Sequence, residues 1–284
     1  MARRVGRRVI NDSSSRQRGF VLSLLDCLPS TLLEKVLFRS SRSSMPLQIA
    51  VQHLLAGSFK ARVEFTFGPM RGKVFECFSS EKYFLLGSSY ECATQALLQE
   101  IVKTGDVAYD VGAHAGYTAL LLSTLCGRSG HVFAFEPSPF NFARLKGNME
   151  SNRIANATLL NLALSDNEGS ASLSEMGSYS CLLSKGACRG QNYSEVKTIR
   201  LDDFVFRGGN PAPRFLKIDI EGHAGQCLKG AMALLHETRP CVFCEIHHEE
   251  EFKGVREVFD LCSYKVTQVD SMRRFPKRFV AIPG

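Results

Sequence analysis

Residues 106–118 read Asp-Val-Ala-Tyr-Asp-Val-Gly-Ala-His-Ala-Gly-Tyr-Thr, and they are the strongest indication of the fold class. Its first half is short and apolar, as expected of a buried strand, and the Ala-Leu-Leu-Leu run at 119–122 opens a helical pattern. A glycine turn between a strand and a helix is where α/β proteins hold a nucleotide, because backbone N–H groups and the helix N-terminus converge there. The sequence therefore predicts a βαβ unit with a nucleotide site at this turn.

The spacing within the turn indicates which nucleotide is bound. A dinucleotide fingerprint requires the pattern G-x-G-x-x-G, but the second and fifth positions after Gly112 are His114 and Tyr117. The pattern D-x-G-x-x-x-G, which runs here from Asp110 to Gly116, suits a ligand that has no phosphate but carries an amino group and a sulfonium. We therefore expect the cofactor S-adenosylmethionine, with S-adenosylhomocysteine as the product.

A second carboxylate supports this interpretation. The apolar strand at 131–135 ends in Glu136, about 20 residues beyond the turn, where an acid accepts hydrogen bonds from ribose hydroxyls. Asp110 or Glu136 alone could be an ordinary polar residue at a strand end. Both of them in one βαβ unit favour a cofactor site.

Six segments resemble, in their order along the chain, the FkbM family of S-adenosylmethionine-dependent methyltransferases; they are 110–116, 135–140, 161–166, 201–204, 215–222 and 244–247. The run Lys-Ile-Asp-Ile-Glu-Gly at 217–222 is the most specific of the shared features. The resemblance implies an α/β Rossmann-like class I methyltransferase fold, with a seven-stranded, mostly parallel sheet, one antiparallel strand and helices on both faces. It also implies O-methylation of a small-molecule or glycan acceptor: a sugar, a glycolipid or a polyketide.

The predicted cofactor contacts come from the turn, from the ends of the second and third strands and from one upstream acid. They are Glu91, Asp110, Gly112, His114, Gly116, Tyr117, Thr118, Glu136, Pro137, Asn141, Ala163 and Asp166. His114 stands where Asn is common in the family, and its ring could still donate a hydrogen bond toward the cofactor carboxylate.

The predicted catalytic residues are Asp219, Glu221 and His247, because they follow neighbouring strands at one rim of the sheet and could remove the hydroxyl proton. The plainer alternatives are cofactor positioning or helix capping for the two acids, and an ordinary strand-end histidine for His247. Together with Glu245 these residues could also hold a divalent cation. We expect no metal.

Three further functional classes stay open beside an active O-methyltransferase. An NAD-dependent oxidoreductase is disfavoured by the missing G-x-G-x-x-G pattern. A methyltransferase fold that has lost turnover and serves as a binding module is permitted by Ala224, which stands where the family usually has Glu. A protein or nucleic-acid N-methyltransferase would be expected to carry an Asn/Asp-Pro-Pro-aromatic run, where this chain has Asp-Ile-Glu-Gly at 219–222.

Composition argues against a nucleic-acid partner. The net charge is +7, but residues 1–44 hold nine Lys/Arg against three acids, so the remainder is near neutral and has no electrostatic footprint for nucleic acid. Ten cysteines suggest disulfides or zinc, yet Cys241 and Cys244 lie three apart on a predicted strand and face opposite sides. We expect free thiols.

The predicted organisation is a disordered basic arm at 1–18, a helical and β-hairpin extension at 19–80 and the methyltransferase domain at 81–284. A hairpin is expected at 62–78, a helix at 46–57 and another at 90–103, and an antiparallel pair of strands closes the chain at 264–282. A Ser- and Gly-rich insertion interrupts the alternation of strands and helices at 165–213, and its part at 176–193 is expected to cover the site as a mobile lid.

The first 44 residues allow three interpretations: a helical cap on the domain, a peripheral contact with anionic membrane or a transit peptide. We expect a cytoplasmic protein. The oligomeric state is left open.

Overall fold

A computed structural model describes residues 7–10, 60–78, 81, 84, 90–176, 179–183 and 193–284. The chain divides into two compact units, one of residues 1–99 with 150–152 and the other of residues 100–149 with 153–284. Within the described ranges, no helix combines the length and the apolar character needed to cross a membrane. The predicted helix at 46–57 lies outside the described residues, and the proposed domain boundaries stay predictions.

The first unit contains a three-stranded antiparallel sheet of β1 (Arg7–Ile10), β2 (Lys60–Phe65) and β3 (Val74–Phe78) in that order. The predicted hairpin is therefore confirmed. Disorder is wrong for Arg7–Ile10, because the free backbone edge of β2 can pair with an extended segment and does so here. Helix α1 (Cys92–Ile101) confirms the helix expected at 90–103.

The second unit is built on seven strands: β4 (Val107–Val111), β5 (His131–Phe135), β6 (Ala157–Leu160), β11 (Phe215–Ile218), β12 (Cys241–Ile246), β13 (Tyr264–Gln268) and β14 (Lys277–Pro283). Their order is β13-β14-β12-β11-β4-β5-β6. The other strands run parallel to one another, and only β14, which is antiparallel to both its neighbours, is reversed. The expected sheet and its closing antiparallel pair are confirmed.

The helices of this unit follow the strands: α2 (Tyr117–Cys126), α3 (Pro139–Ser151), α4 (Ala224–Lys229), α5 (Met232–Glu237) and α6 (Glu249–Leu261). The chain moves outward from β4 in one direction through α2 and α3, and from β11 in the other through α4 to α6. Because such crossovers are right-handed, the two sets of helices cover opposite faces of the sheet. The four central strands, β5, β4, β11 and β12, are correspondingly buried on both sides.

A second sheet, which the sequence did not predict, is formed within 163–199. It consists of β7 (Ala163–Leu164), β8 (Gly169–Met176), β9 (Tyr179–Leu183) and β10 (Tyr193–Ile199), in the order β7-β10-β8-β9. Leu173, Val196 and Ala163 give these strands a small apolar core of their own. The lid remains a prediction, since residues 184–192 lie outside the described part.

The cysteines behave as expected where their side chains are described. All seven of them, including Cys241 and Cys244, are free thiols, and four are almost fully buried in the second unit. They contribute as small apolar side chains.

Candidate cofactor and catalytic site

Strand register brings the predicted site residues to one edge of the main sheet. Val111 pairs with Ile218 on one side and with Phe135 on the other, and Ile218 pairs with Cys244. The residues that follow these positions therefore emerge side by side. This is the edge at which open α/β sheets bind their ligands.

The glycine turn is shaped by the neighbouring strand as well as by any ligand. Gly112 has φ +78°, and a Cβ added there would lie 2.0 Å from the backbone oxygen of Asp219. Gly116 has φ +94°, and a Cβ there would lie 2.7 Å from Leu145. Both glycines are thus required by the backbone path itself.

Glu136 holds the turn with its carboxylate. The side chain is almost fully buried, its Oε2 accepts from the His114 N–H at 2.7 Å, and its Oε1 accepts from the Ser138 N–H at 2.9 Å. Burial raises the pKa of Glu136 to about 7, although both hydrogen bonds act to lower it. Each oxygen keeps a lone pair that could accept a ribose hydroxyl.

Lys217 is a site residue that the sequence analysis missed. Its Nζ lies 3.1 Å from Oδ1 of Asp110 and 3.5 Å from Oδ2 of Asp219, and it donates to the Gly112 carbonyl at 2.8 Å. Burial alone would lower the pKa of Lys217, but the charges of Asp110 and Asp219 raise it above the usual range. The lysine therefore stays charged and ties together two carboxylates and the glycine turn.

Asp110 is fully buried beneath the turn, where its carboxylate faces Lys217. Its observed role is to hold this buried cation, and its predicted contact with a cofactor stays a prediction. One feature of the sequence could have revealed the pair: a lysine inside the otherwise apolar run Phe-Leu-Lys-Ile at 215–218.

The three predicted catalytic residues come together. Nε2 of His247 lies 3.5 Å from Oδ1 of Asp219 and 3.4 Å from Oε1 of Glu221. Burial would lower the pKa of His247, but the carboxylates of Glu251, Asp219 and Glu221 raise it to about 9. In the free protein His247 is therefore an imidazolium at neutral pH. Burial raises the pKa of Glu221.

A cation-binding arrangement can be drawn from the same residues, because ligand atoms of Asp219, Glu245 and His247 lie within 4.8 Å of one another. Two of the three are already engaged by protein cations. Arg278 bonds Glu245 through Nε at 2.8 Å, and Lys217 lies beside Asp219. A metal-free site stays our prediction.

Ala224, the departure from the family pattern, begins α4 and is fully buried. A carboxylate is nonetheless present at this place, since Oε1 of Glu251 accepts from the Ala224 N–H at 3.1 Å. Glu251 belongs to α6, 27 residues further along the chain. The loss of Glu at position 224 therefore does not leave this part of the rim without a carboxylate.

A small cleft opens at the same edge. It is walled by apolar side chains, including Pro137, Ala163 and Leu173, and by the two polar residues Glu221 and His223. An apolar lining with a few polar groups is typical of a small-molecule site. Of the predicted residues, Gly112, Pro137, Ala163 and Glu221 line this cleft.

His223 is a second residue that the sequence analysis did not select. Its Nε2 lies 3.0 Å from the hydroxyl of Ser165, which donates in turn to Asp166 at 3.2 Å. Burial lowers the pKa of His223, so its ring is neutral at pH 7. The neutral His223 therefore lines the cleft, and the charged His247 lies beside Glu221, another residue of its lining.

The remaining predicted cofactor residues occupy varied environments. Tyr117 and Asn141 are buried, Thr118 and His114 are half-buried, and Asp166 is exposed. Glu91 lies in the first unit with φ +47°. Their contacts with a cofactor stay predictions.

The strand order with one reversed strand, the glycine turn and the acid that ends the second strand define a class I methyltransferase fold. Residues 110–275 match the family model described as the methyltransferase FkbM domain. This match covers more than half of the chain, so the protein belongs to the FkbM methyltransferase family.

One relative is the hexuronic acid methyltransferase AglP of Haloferax volcanii, 34% identical over 163 residues. The alignment covers 57% of this chain and 64% of AglP, so the chain spans less than two thirds of that relative. Among the solved structures that this chain matches is the methyltransferase FkbM of Methylobacillus flagellatus KT, at 16% sequence identity and a TM-score of 0.46. The match covers 70% of this chain and 52% of that one. An S-adenosylmethionine-dependent O-methyltransferase of Thermotoga maritima has 12% identity, 68% and 65% coverage and a TM-score of 0.47.

Proposed function

We propose that the protein transfers a methyl group from S-adenosylmethionine to a hydroxyl of a sugar, as a free small molecule or within a glycan. The observation that carries the proposal is the buried Glu136 carboxylate, which follows β5 beside the glycine turn, between two residues that line the cleft. Membership in the FkbM family supports the cofactor. The relative named as a hexuronic acid methyltransferase supports the acceptor.

The chemistry divides between two parts of the rim. When bound, S-adenosylmethionine supplies an activated methyl group on a sulfonium. Glu136 would accept its ribose hydroxyls. Asp219, Glu221 and His247 form the polar end of the rim, where the acceptor hydroxyl must be aligned and lose its proton.

Two exposed arginines support an anionic acceptor such as a hexuronic acid. Arg273 and Arg274 lie between β13 and β14, and Lys277 at the start of β14 pairs with Ile246 at the end of β12. The segment that carries the arginines therefore ends at the same edge as the catalytic rim. Within the described part of the chain neither guanidinium has an ion pair or a side-chain hydrogen bond, so both are available to a carboxylate.

Methyl transfer from labelled S-adenosylmethionine to paired acceptors tests the proposal. We would compare the 4-nitrophenyl glycosides of glucuronic acid and glucose, and we expect a methylated glucuronide that survives mild alkali, as a methyl ether does and a methyl ester does not. An alkali-labile product would move the reaction to the carboxylate. Absence of transfer together with absence of S-adenosylhomocysteine binding would overturn the function.

Three expectations for partners and location stay predictions: the cytoplasmic location, the absence of a nucleic-acid partner and a contact of the basic N-terminus with membrane. Residues 1–6 and 11–59, which carry most of this basic segment, lie outside the described residues.

A further inference from the structure

Glu251 connects two segments of the catalytic rim, although it lies on a helix. Its side chain is fully buried. Oε1 accepts from the N–H of Ala224 at 3.1 Å, and Oε2 accepts from the N–H of His247 at 2.8 Å. One carboxylate therefore joins the start of α4, just after Glu221, to the end of β12.

The same carboxylate also faces the imidazole. Oε2 of Glu251 lies 3.6 Å from Nδ1 of His247, and this ring nitrogen is buried and makes no hydrogen bond within the described residues. The opposite ring nitrogen, Nε2, faces Asp219 and Glu221. A carboxylate can only accept, so each of these groups favours a proton on the ring nitrogen that it faces. Glu251 is fully buried and fixed by two backbone hydrogen bonds, whereas the side chains of Asp219 and Glu221 are 36% and 39% exposed to solvent. The attraction of the buried carboxylate is screened less, so a neutral ring favours the proton on Nδ1.

Within the described residues, four carboxylates and two cations lie around the ring of His247 or beside its partners. Asp219 and Glu221 face Nε2, with Lys217 behind Asp219, and Glu251 faces Nδ1 from α6. Glu245, two residues before His247, is neutralised by Arg278 of β14. Glu251 is the only one of these carboxylates that contacts the backbone of His247 as well as its ring.

We propose that Glu251 is a positioning residue: it holds the proton of His247 on Nδ1, so that Nε2 is the nitrogen that takes the proton of the reacting hydroxyl. A base oriented by a third group is the arrangement by which enzymes activate weak oxygen nucleophiles. This role rests on the proposed methyl transfer.

The hydroxyl proton moves to Nε2 as the oxygen–methyl bond forms and the sulfur–methyl bond breaks, with its electron pair left on sulfur. His247 ends as an imidazolium and returns the proton to water. Its raised pKa agrees with a ring held between carboxylates, and a cationic sulfonium nearby would favour the neutral form needed for the reaction.

Nitrogen NMR of protein labelled at histidine tests the proposal without knowledge of the acceptor. The His247 signals, assigned from a His247→Asn variant, would be followed from about pH 6 to pH 11. Above its pKa we expect the wild-type ring to be the Nδ1–H tautomer. A wild-type ring that is mainly Nε2–H overturns the proposal, and this result requires no Glu251 variant.

Glu251→Gln supplies the second arm, with Glu257→Gln as a control for removal of an exposed acid on the same helix. We expect Glu251→Gln to abolish the preference for the Nδ1–H tautomer and to lower the pKa of His247 by about one unit or more. Glu257→Gln should leave the tautomer unchanged. An unchanged tautomer in a folded Glu251→Gln protein contradicts the role.

S-adenosylhomocysteine binding, measured by calorimetry on the same samples, separates this proposal from the proposed function. A wild-type protein with the expected tautomer but no binding would refute the methyl transfer while leaving the ring geometry in place. A wild-type protein that binds but has the opposite tautomer would refute only the role of Glu251.

Discussion

Glu136→Gln should change the pH dependence of stability in a defined direction. The pKa of this carboxyl is raised from 4.5 to about 7, mainly by burial, so the folded protein binds its proton more tightly than the unfolded chain. The stability that the protonated form provides is fully present below about pH 4.5. This contribution to the free energy of unfolding decreases as the pH rises to about 7, and it does not change further at higher pH.

The size of the effect follows from these two pKa values. Between pH 5 and pH 8 the ionisation of Glu136 should remove about 2.5 kcal/mol from the free energy of unfolding. Gln cannot ionise, so the variant lacks this loss. The difference in stability, wild type minus variant, should therefore fall by about 2.5 kcal/mol over the same range.

Urea unfolding at several pH values between 5 and 8, without cofactor, measures this difference. Glu257→Gln, which removes an exposed acid, reports the background effect of a lost surface charge. A wild-type curve that stays parallel to the Glu136→Gln curve would refute the argument, since it would mean that the buried carboxyl binds its proton no more tightly in the folded protein.

The same substitution should weaken the cofactor, because the ionised carboxylate is the form that accepts ribose hydroxyls. When the pH is lowered from 8 to 6, the dissociation constant of the wild type for S-adenosylhomocysteine should rise about tenfold more than that of Glu136→Gln. This is the change expected when binding requires the ionised form of a group with a pKa of about 7. Calorimetry measures both proteins. If the dissociation constants of the two proteins have the same pH dependence, Glu136 does not bind the cofactor through its carboxylate.

Three other substitutions test the rim. Lys217→Met should lower the free energy of unfolding by about 3–5 kcal/mol, because it leaves Asp110 buried without its cation. Adding Asp110→Asn should restore part of this loss, as measured by urea unfolding. If the losses of the two single variants simply add in the double variant, the pairing is contradicted. The kcat/KM of the wild type should rise with pH toward the His247 pKa of about 9. Asp219→Asn removes one carboxylate beside the ring and should therefore move this rise to lower pH. An unchanged pH profile would contradict the contact between Asp219 and His247. Arg273→Ala combined with Arg274→Ala should raise KM for a glucuronide about tenfold and leave KM for the matched glucoside unchanged. An equal effect on both substrates would contradict a role of the two arginines in binding the carboxylate of the acceptor.

Much of the main sheet could be predicted because its strands are short apolar runs that end in acids or glycine. The turn at Gly112 and the acid at Glu136 follow from local sequence alone, since each lies directly after a buried strand. The three catalytic candidates could be grouped because parallel strands end at one edge, and the structure places Asp219, Glu221 and His247 in contact distance.

The features that sequence reasoning missed depend on contacts between distant segments. Glu251 lies in a run of three acids at the start of α6, which looks like an ordinary charged helix start, and only the packing of α6 shows that this one is buried. His223 gains its partner from Ser165, 58 residues earlier. The second sheet was missed because its Ser-rich strands have the composition of loops, and its pairing partners are non-local.

Equilibrium binding of S-adenosylhomocysteine to the full chain, with NAD⁺ as a competitor, is the decisive test of the proposed cofactor. We expect one molecule bound per chain, no displacement by NAD⁺, and a loss of affinity of about 2–3 kcal/mol in Glu136→Ala, the range for charge-assisted hydrogen bonds to the ribose. Absence of binding by a folded wild-type protein, or displacement by NAD⁺, would contradict this cofactor.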